Sequence, residues 1–348
     1  MKALILKFLK QISIFAIIWG AIIYVVCLLL PYHYFNGEYP MWKHKMEIIA
    51  QKNSFNNLII GDSRAIAGID PHILGDSYYN LALGGGTPME GFYQLKKSLQ
   101  EGKKIDTLLI SYAPIHFEQS EMFWDRQVKY NFYNLNEVEE IFTKLNTKNE
   151  IFWEYDGSRY YKESSESDYL WKAFFTHYKS PMTLRAELSK SLLLRGYSNY
   201  KIYDEIKARK GSYDFGKKEF SHELNVEAKR TSFSPKNIIL SSLKETFKLA
   251  KENHITVIYV SLPMNKSSYL ALKDKYRTGV LAMYGTLQTE YPEVIFKDNG
   301  LLYYEDKFFG DNSHLNKNGR ERFSLETKKI LQPNLTPTPN SLAINSFN

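Results

Sequence analysis

Residues 57–64 read Asn-Leu-Ile-Ile-Gly-Asp-Ser-Arg, a short apolar run that stops at a Gly-Asp-Ser turn. A continuous run of aliphatic residues is typical of a strand buried on both faces of a parallel sheet. Gly61 permits a tight turn, and both Asp62 and Ser63 favour the start of a helix. The segment therefore predicts a buried strand that is followed at once by a helix.

Ser63 would lie at the carboxyl end of this strand, where open α/β sheets bind ligands. The N–H groups of the following helix could hold an oxyanion there. A Gly-Asp-Ser turn is common and usually structural, so the turn alone does not identify a nucleophile. Ser63 becomes a candidate only if other residues of the chain supply its partners.

Apolar runs and helical patterns alternate on either side of a long central segment. Strands are predicted at 57–60, 77–82, 106–112, 255–261 and 294–296. Helices are predicted at 41–52, 89–100, 236–253, 267–291 and 316–331. Strands that alternate with helices imply right-handed crossovers and a three-layer α/β/α sandwich.

The central segment, residues 114–234, lacks this alternation and is rich in charged and aromatic residues. It is interpreted as a mostly helical insertion, with helices at 135–145 and 181–194, that covers the carboxyl edge of the sheet or meets a partner. A merely peripheral cap is the alternative. The tail, residues 332–348, is rich in Pro, Thr, Asn and Ser and is predicted to be disordered.

Composition excludes several classes of site. The chain has 348 residues, 44% of them apolar, which allows one large or two modest domains. Its net charge of +7 is dispersed along the chain, so no nucleic-acid-binding stripe is predicted. Cys27 is the only cysteine, and the eight histidines lack ligand spacing, so neither a disulfide nor a metal site is predicted.

Residues 12–30 contain no formal charge, and as a helix they would be about 28 Å long, close to the thickness of a bilayer core. A cleaved signal peptide is the competing interpretation, but the apolar run is long and no small-x-small pattern follows it. A retained transmembrane helix is therefore predicted. Three lysines in residues 1–11 and aromatic residues within 32–42 indicate a cytoplasmic N-terminus and an extracytoplasmic main domain, although Lys43 and Lys45 weaken the charge asymmetry.

A second polar segment stands near the carboxyl end, where residues 309–319 read Phe-Gly-Asp-Asn-Ser-His-Leu-Asn-Lys-Asn-Gly. A hydroxyl attacks a carbonyl only when a base removes its proton, and a histidine base needs a carboxylate that holds its tautomer. Asp311 and His314 would supply both from one loop. Together with Ser63 they predict a Ser-His-Asp nucleophilic site.

Three blocks of the sequence resemble the SGNH, or GDSL-type, hydrolase superfamily: residues 61–64, Asn80 with residues 84–86, and residues 311–316 with Gly319. The resemblance covers residues 55–112 and 235–331, within a domain formed by 31–113 and 235–331, and does not account for the insertion. It implies a flavodoxin-like sheet of order 2-1-3-4-5 and no cofactor.

The resemblance also implies roles for individual residues. Ser63 would be the nucleophile, His314 the general base and Asp311 the residue that orients it. The glycine block would help form the oxyanion hole, which assigns that role to Gly84 or Gly85.

Asn80 and Arg64 are further candidates for oxyanion or substrate binding, although Arg64 and Asp62 also fit structural roles, with Arg64 lining the cleft. A further block of the family, the third in chain order, is usually a Gly-x-Asn-Asp element after the third strand, but residues 111–116 read Ser-Tyr-Ala-Pro-Ile-His and lack this third-block Asn. The second oxyanion side chain is therefore missing, a loss that typically costs about 100-fold or more in rate. His116 is a possible substitute.

A tethered chain with these departures is similar to the envelope-modifying branch of the superfamily, which includes alginate acetylation proteins and the D-alanyl transfer proteins of teichoic acid. These proteins work beside a multi-spanning membrane-bound O-acyltransferase. The resemblance implies a membrane-tethered serine O-acyltransferase or esterase that acts on acyl esters of a cell-surface polysaccharide or envelope polymer. The alternative is a non-catalytic binding or assembly subunit of an acyltransferase complex.

Overall fold

Short apolar runs of the sequence form the strands of a five-stranded parallel sheet. The structure is a computed structural model, and it describes residues 2–51, 55–120, 122–145, 166–178, 192–216 and 218–331. The strands, in chain order, are β1 Asn57–Gly61, β2 Tyr78–Asn80, β3 Thr107–Ser111, β4 Thr256–Tyr259, β5 Met264–Asn265, β6 Ile295–Phe296 and β7 Tyr303–Tyr304. The main sheet has the order β2-β1-β3-β4-β6. The five predicted strands are thus confirmed as one parallel sheet.

Strands β5 and β7 were not predicted, and they pair in a separate two-stranded parallel sheet. Each contains two residues, which is too short to show a periodic pattern in the sequence.

Both faces of the main sheet are buried, which explains why its strands are continuously apolar. Leu58 and Ile60 of β1 belong to a large core on one face, whereas Ile59 belongs to a smaller core on the other. Strands β3 and β4 divide their side chains between the same two cores. Successive side chains of a strand point to opposite faces, so a strand covered on both sides needs apolar residues at every position.

Helices cover both faces of the sheet. The α-helices span Lys2–Leu29, Pro31–Tyr34, Tyr39–Ala50, Ser63–Gly68, Pro71–Leu74, Pro88–Gln100, Leu135–Glu140, Glu166–His177, Leu192–Ala208, Asn237–Glu252, Lys266–Ala271, Asp274–Glu290 and Lys317–Leu331. The single helix predicted at 267–291 is two helices, because the backbone is extended at Leu272 and Lys273, where buried Leu272 enters the core.

The described parts of the central segment contribute to the domain core. Residues 114–145 place Phe117, Phe123 and Phe132 in the large core, with each side chain at most 1% exposed. The predicted helix 135–145 is an α-helix over Leu135–Glu140 that continues as a π-helical turn over Ile141–Leu145. The expected helix at 181–194 lies outside the described residues up to position 191, and the predicted disordered tail lies outside them altogether.

The N-terminal helix, Lys2–Leu29, begins ten residues before the predicted span. Its segment Leu4–Val25 has a mean hydropathy of 1.9 and is not covered by the rest of the chain. It is long and apolar enough to cross a membrane, a property that it shares with signal sequences. After it and the short helix Pro31–Tyr34, the helix Tyr39–Ala50 packs into the large core through side chains such as the fully buried Trp42.

Candidate active site

Ser63 is the first residue of the helix Ser63–Gly68, and Asp62 caps that helix. One carboxylate oxygen of Asp62, Oδ1, accepts a hydrogen bond from the Arg64 N–H at 2.7 Å, while Oδ2 accepts one from the Ala113 N–H at 2.6 Å. Asp62 is fully buried. It therefore ties the turn that carries Ser63 to the chain that leaves β3, and acts as the structural residue that the sequence suggested.

Ser63, His314 and Asp311 form one hydrogen-bonded chain of side chains. The Nε2 atom of His314 lies 2.8 Å from Oγ of Ser63, and its Nδ1 atom lies 2.8 Å from Oδ2 of Asp311. The other oxygen of Asp311 accepts hydrogen bonds from the backbone N–H groups of Ser313 and His314, at 2.8 and 2.7 Å. The structure thus brings together the three residues that the sequence predicted.

The charge of Asp311 determines how this chain of hydrogen bonds is polarised. Burial raises the pKa of Asp311, but the hydrogen bond and the charge of His314 and the two backbone N–H donors outweigh burial, so the pKa lies below its ordinary value. An ionised carboxylate can only accept, so Nδ1 of His314 carries the proton and Nε2 is free to accept the Ser63 hydroxyl proton. This arrangement can generate a nucleophilic serine.

Phe215 supports the histidine from a segment of the chain that the sequence did not connect with the site. Its ring centre lies 4.8 Å from that of His314, with the ring planes inclined by 31°. The neighbouring Gly216 packs so closely on Gly310 that an added Cβ would lie 2.6 Å from the Gly310 backbone. This contact sets segment 213–216 against the histidine loop, and no motif indicated it.

Ser63 and His314 open into a cavity of about 300 Å³. The other lining residues come from the segment after the N-terminal helix, from the glycine block and the start of the helix that follows it, and from the central segment: Glu38, Gly84, Gly85, Thr87, Met89, His116, Gln119, Ser120, Met122, Arg126, Gln127 and Phe215. The predicted oxyanion residues Gly84 and Gly85 therefore lie in the same cavity as the serine.

Two backbone N–H groups are suited to hold an oxyanion. Ser63 begins its helix, so its N–H has no acceptor within that helix. Gly85 has a φ of +64°, and within the described ranges its N–H donates to no other group. The N–H of Gly86, by contrast, donates to the Leu83 carbonyl at 2.9 Å and is not available.

The structure places Asn80 and Arg64 outside the cavity, contrary to the sequence-based expectation. Asn80 is fully buried, and its amide donates to the carbonyls of Ala65 and Ile69, at 2.9 and 3.1 Å. Arg64 is buried and its Nη2 atom lies 2.5 Å from Oε1 of Glu227, which is itself fully buried. Both side chains are held by partners in the protein interior, so neither is available to a substrate.

His116, which the sequence offered as a substitute for the missing third-block Asn, lines the cavity. Its Nε2 atom lies 3.5 Å from Oδ2 of Asp62. Burial lowers the pKa of His116, although the Asp62 charge acts in the opposite direction, so the ring is neutral at pH 7. Nε2 thus faces the Asp62 carboxylate, and Nδ1 is buried with no hydrogen-bond partner among the described residues.

In the part of the chain that the structure describes, no group of three or more His, Cys, Asp or Glu side chains is arranged to hold a metal ion. Neither a comparison with protein-family models nor one with curated proteins finds a match for this chain.

Proposed function

We propose that this chain is a membrane-tethered serine O-acyltransferase or esterase of the SGNH type, acting on acyl esters of a cell-surface polysaccharide or related envelope polymer. The observation that carries the proposal is the hydrogen-bonded chain from Ser63 through His314 to Asp311, with 2.8 Å at each step, beside a cavity that Ser63, His314 and Gly85 line. A structural serine needs neither a histidine and carboxylate in line with its hydroxyl nor an oxyanion donor beside it.

The chemistry follows from these positions. Ser63 Oγ attacks the acyl carbonyl while Nε2 of His314 takes its proton, and the Asp311 carboxylate stabilises the resulting imidazolium. The Ser63 and Gly85 N–H groups hold the oxyanion. The C–O bond to the leaving alcohol then breaks, and that alcohol receives the proton from His314, which leaves an acyl ester on Ser63.

The second half of the reaction reverses these steps with a new acceptor. His314 removes a proton from an incoming hydroxyl, whose oxygen attacks the acyl-serine, and Ser63 leaves with its proton restored. Water gives an esterase, whereas a sugar hydroxyl gives a transferase. A second, larger cleft of about 1190 Å³ adjoins the histidine loop, with Asp214, Gly216 and Asn316 in its lining, and it offers room for a polymer chain.

The surroundings of the site support a tethered enzyme. We propose a flavodoxin-like core, consistent with the β2-β1-β3-β4-β6 order, and an N-terminal helix that is retained as a single membrane span with the N-terminus in the cytoplasm. Residues 31–50 pack into the domain core directly after that helix, which would keep an extracytoplasmic domain close to the bilayer. A multi-spanning acyltransferase is the proposed partner and acyl donor.

The test uses the full-length protein in detergent, a fluorophosphonate probe and an aryl acetate. We expect covalent labelling of Ser63, read by peptide mass spectrometry, and acetate release that Ser63→Ala and His314→Ala each reduce by a factor of about 10³ or more. Ser77→Ala removes an exposed hydroxyl next to the amino end of β2 and serves as the control. An unlabelled Ser63 together with unchanged rates in both variants would overturn the proposal in favour of a binding or assembly subunit.

A further inference from the structure

Arg126 lies against the glycine block from a part of the chain outside the family-like blocks. Its Nη1 atom donates to the Gly84 carbonyl at 3.0 Å. The same Nη1 atom lies so close to Gly85 that a Cβ added there would be 2.2 Å away. The guanidinium group therefore contacts both residues that flank the Gly84–Gly85 peptide bond.

The contact determines where the Gly85 N–H points. The Gly84 carbonyl and the Gly85 N–H belong to one peptide group, and in a trans peptide they point in opposite directions. The described residues contain no cis peptide bond. Because the Gly84 carbonyl points to Arg126, the Gly85 N–H points away from Arg126.

This peptide needs an external constraint. Glycine occupies positive and negative φ with similar ease, so a peptide between two glycines can rotate at little cost. Gly84 and Gly85 are the two central residues of a turn that the Gly86 N–H closes by donating to the Leu83 carbonyl, and this bond leaves the peptide between the two glycines free to rotate. The Arg126 hydrogen bond supplies the constraint that the local backbone lacks.

Arg126 is itself held in place from a second direction. Its Nε atom lies 2.8 Å from Oε2 of Glu38, and the two side chains are 20% and 31% exposed. Glu38 belongs to the short segment between the apolar N-terminal helix and the helix Tyr39–Ala50. The guanidinium is thus fixed by a carboxylate at one edge and by the Gly84 carbonyl at the other.

We propose that Arg126 is a positioning residue that orients the Gly84–Gly85 peptide as an oxyanion donor, and that Glu38 holds Arg126 in this position. The inference rests on the proposed function. It names the contact that fixes the direction of the Gly85 N–H, one of the two backbone donors, in a chain that lacks the third-block Asn. It also links the oxyanion loop to the segment that joins the domain to its apolar helix.

The test compares kcat and KM for aryl acetate hydrolysis in full-length variants. We expect Arg126→Met to lower kcat by about 10- to 100-fold with KM nearly unchanged, since loss of one oxyanion donor costs about 10²–10³ and misorientation costs part of that. Arg126→Lys keeps a donor for the Gly84 carbonyl and should recover part of the loss. Arg322→Met removes an exposed Arg–Glu pair on the last helix, Arg322 with Glu326, and is the matched control.

Two further measurements separate positioning from other roles. Glu38→Ala should lower kcat less than Arg126→Met, and the double variant should equal Arg126→Met, because Glu38 acts only through Arg126. Amide hydrogen exchange of the peptide containing residues 83–87 should accelerate in Arg126→Met, a readout that needs no activity. Unchanged kcat and exchange in Arg126→Met would overturn this inference while Ser63→Ala still reports on the proposed function. A raised KM at constant kcat would also overturn it, because it would assign Arg126 to substrate binding.

Discussion

The Nε2 atom of His314 lies 2.8 Å from the Oγ atom of Ser63, although 251 positions separate the two residues in the chain. The last helix, Lys317–Leu331, brings them together by packing against the helices that follow β1. Its Ser324 hydroxyl accepts a hydrogen bond from the Asp70 N–H at 2.9 Å. The histidine loop is closed on itself by a bridge between Phe309 and Leu315. The hydrogen bond between Ser63 and His314 is therefore maintained by packing far from these two atoms.

Asp311→Asn should lower kcat by about 10³- to 10⁴-fold while the protein remains folded. The Asn amide keeps an oxygen for the backbone N–H groups of Ser313 and His314, but it no longer selects the His314 tautomer with the proton on Nδ1. The measurement is kcat for aryl acetate together with the urea midpoint. Asp76→Asn, at an exposed carboxylate, is the control. A fully active Asp311→Asn would mean that the carboxylate has no part in the reaction.

Gly85→Ala should reduce activity well beyond its effect on stability. The φ of +64° at Gly85 disfavours an L side chain by roughly 1–2 kcal/mol, and the new Cβ would displace Arg126 Nη1, which lies 2.2 Å from its position. Gly102→Ala is a matched control, because Gly102 has a φ of +77° but no atom within 4 Å of an added Cβ. Both variants should lose similar stability in urea unfolding, and only Gly85→Ala should lose at least tenfold in kcat. Equal activities in the two variants would contradict this expectation.

Arg64→Met should destabilise the fold by about 3–5 kcal/mol, since it leaves the Glu227 carboxylate buried without its partner. The double variant Arg64→Met/Glu227→Leu removes both charges and should be more stable than the single variant. Lys218→Met breaks an exposed ion pair with Glu223 and should cost about 1 kcal/mol or less. Urea unfolding at pH 7 measures all three. A double variant no more stable than Arg64→Met would argue against the charge pair as the cause.

The free energy of unfolding should decrease as the pH is lowered, because of His44. Burial lowers the pKa of His44 from 6.5 to about 4, with the charges of Lys45 and Lys207 acting in the same direction. Between these values the unfolded chain binds a proton that the folded chain does not, so stability falls as the pH drops from 6.5 toward 4. The expected contribution is on the order of 2–3 kcal/mol.

His44→Gln removes this titration and keeps an amide donor for the Tyr79 hydroxyl, the hydrogen-bond partner of His44. The loss of unfolding free energy between pH 7 and pH 4.5 should therefore be smaller in His44→Gln than in the unchanged protein. His222→Gln, at an exposed ring, should retain the full loss. If His44→Gln and the unchanged protein lost the same free energy, His44 would not be the group that titrates.

Local sequence patterns predicted the five strands of the main sheet, though not β5 and β7, and indicated Ser63, His314 and Asp311 as candidate site residues. The apolar runs at β1, β3 and β4 predicted buried strands, because burial on both faces of a sheet requires apolar side chains at consecutive positions. Ser63 and the loop of Asp311 and His314 became candidates because a serine after a strand and an Asp-x-x-His loop before a helix are chemically complementary, and because both segments resemble SGNH blocks. These signals depend on neighbours in the chain and require no knowledge of distant contacts.

Only the tertiary structure could assign the remaining residues around Ser63. Asn80 and Arg64 belong to the blocks that resemble the family, but the Asn80 amide donates to the carbonyls of Ala65 and Ile69, and Arg64 pairs with buried Glu227. Phe215, Glu38 and Arg126 carry no local signal, and they reach the cavity because separate segments of the chain pack around the edge of the sheet. A side chain's partner in space depends on the packing of whole elements, which neighbouring residues do not encode.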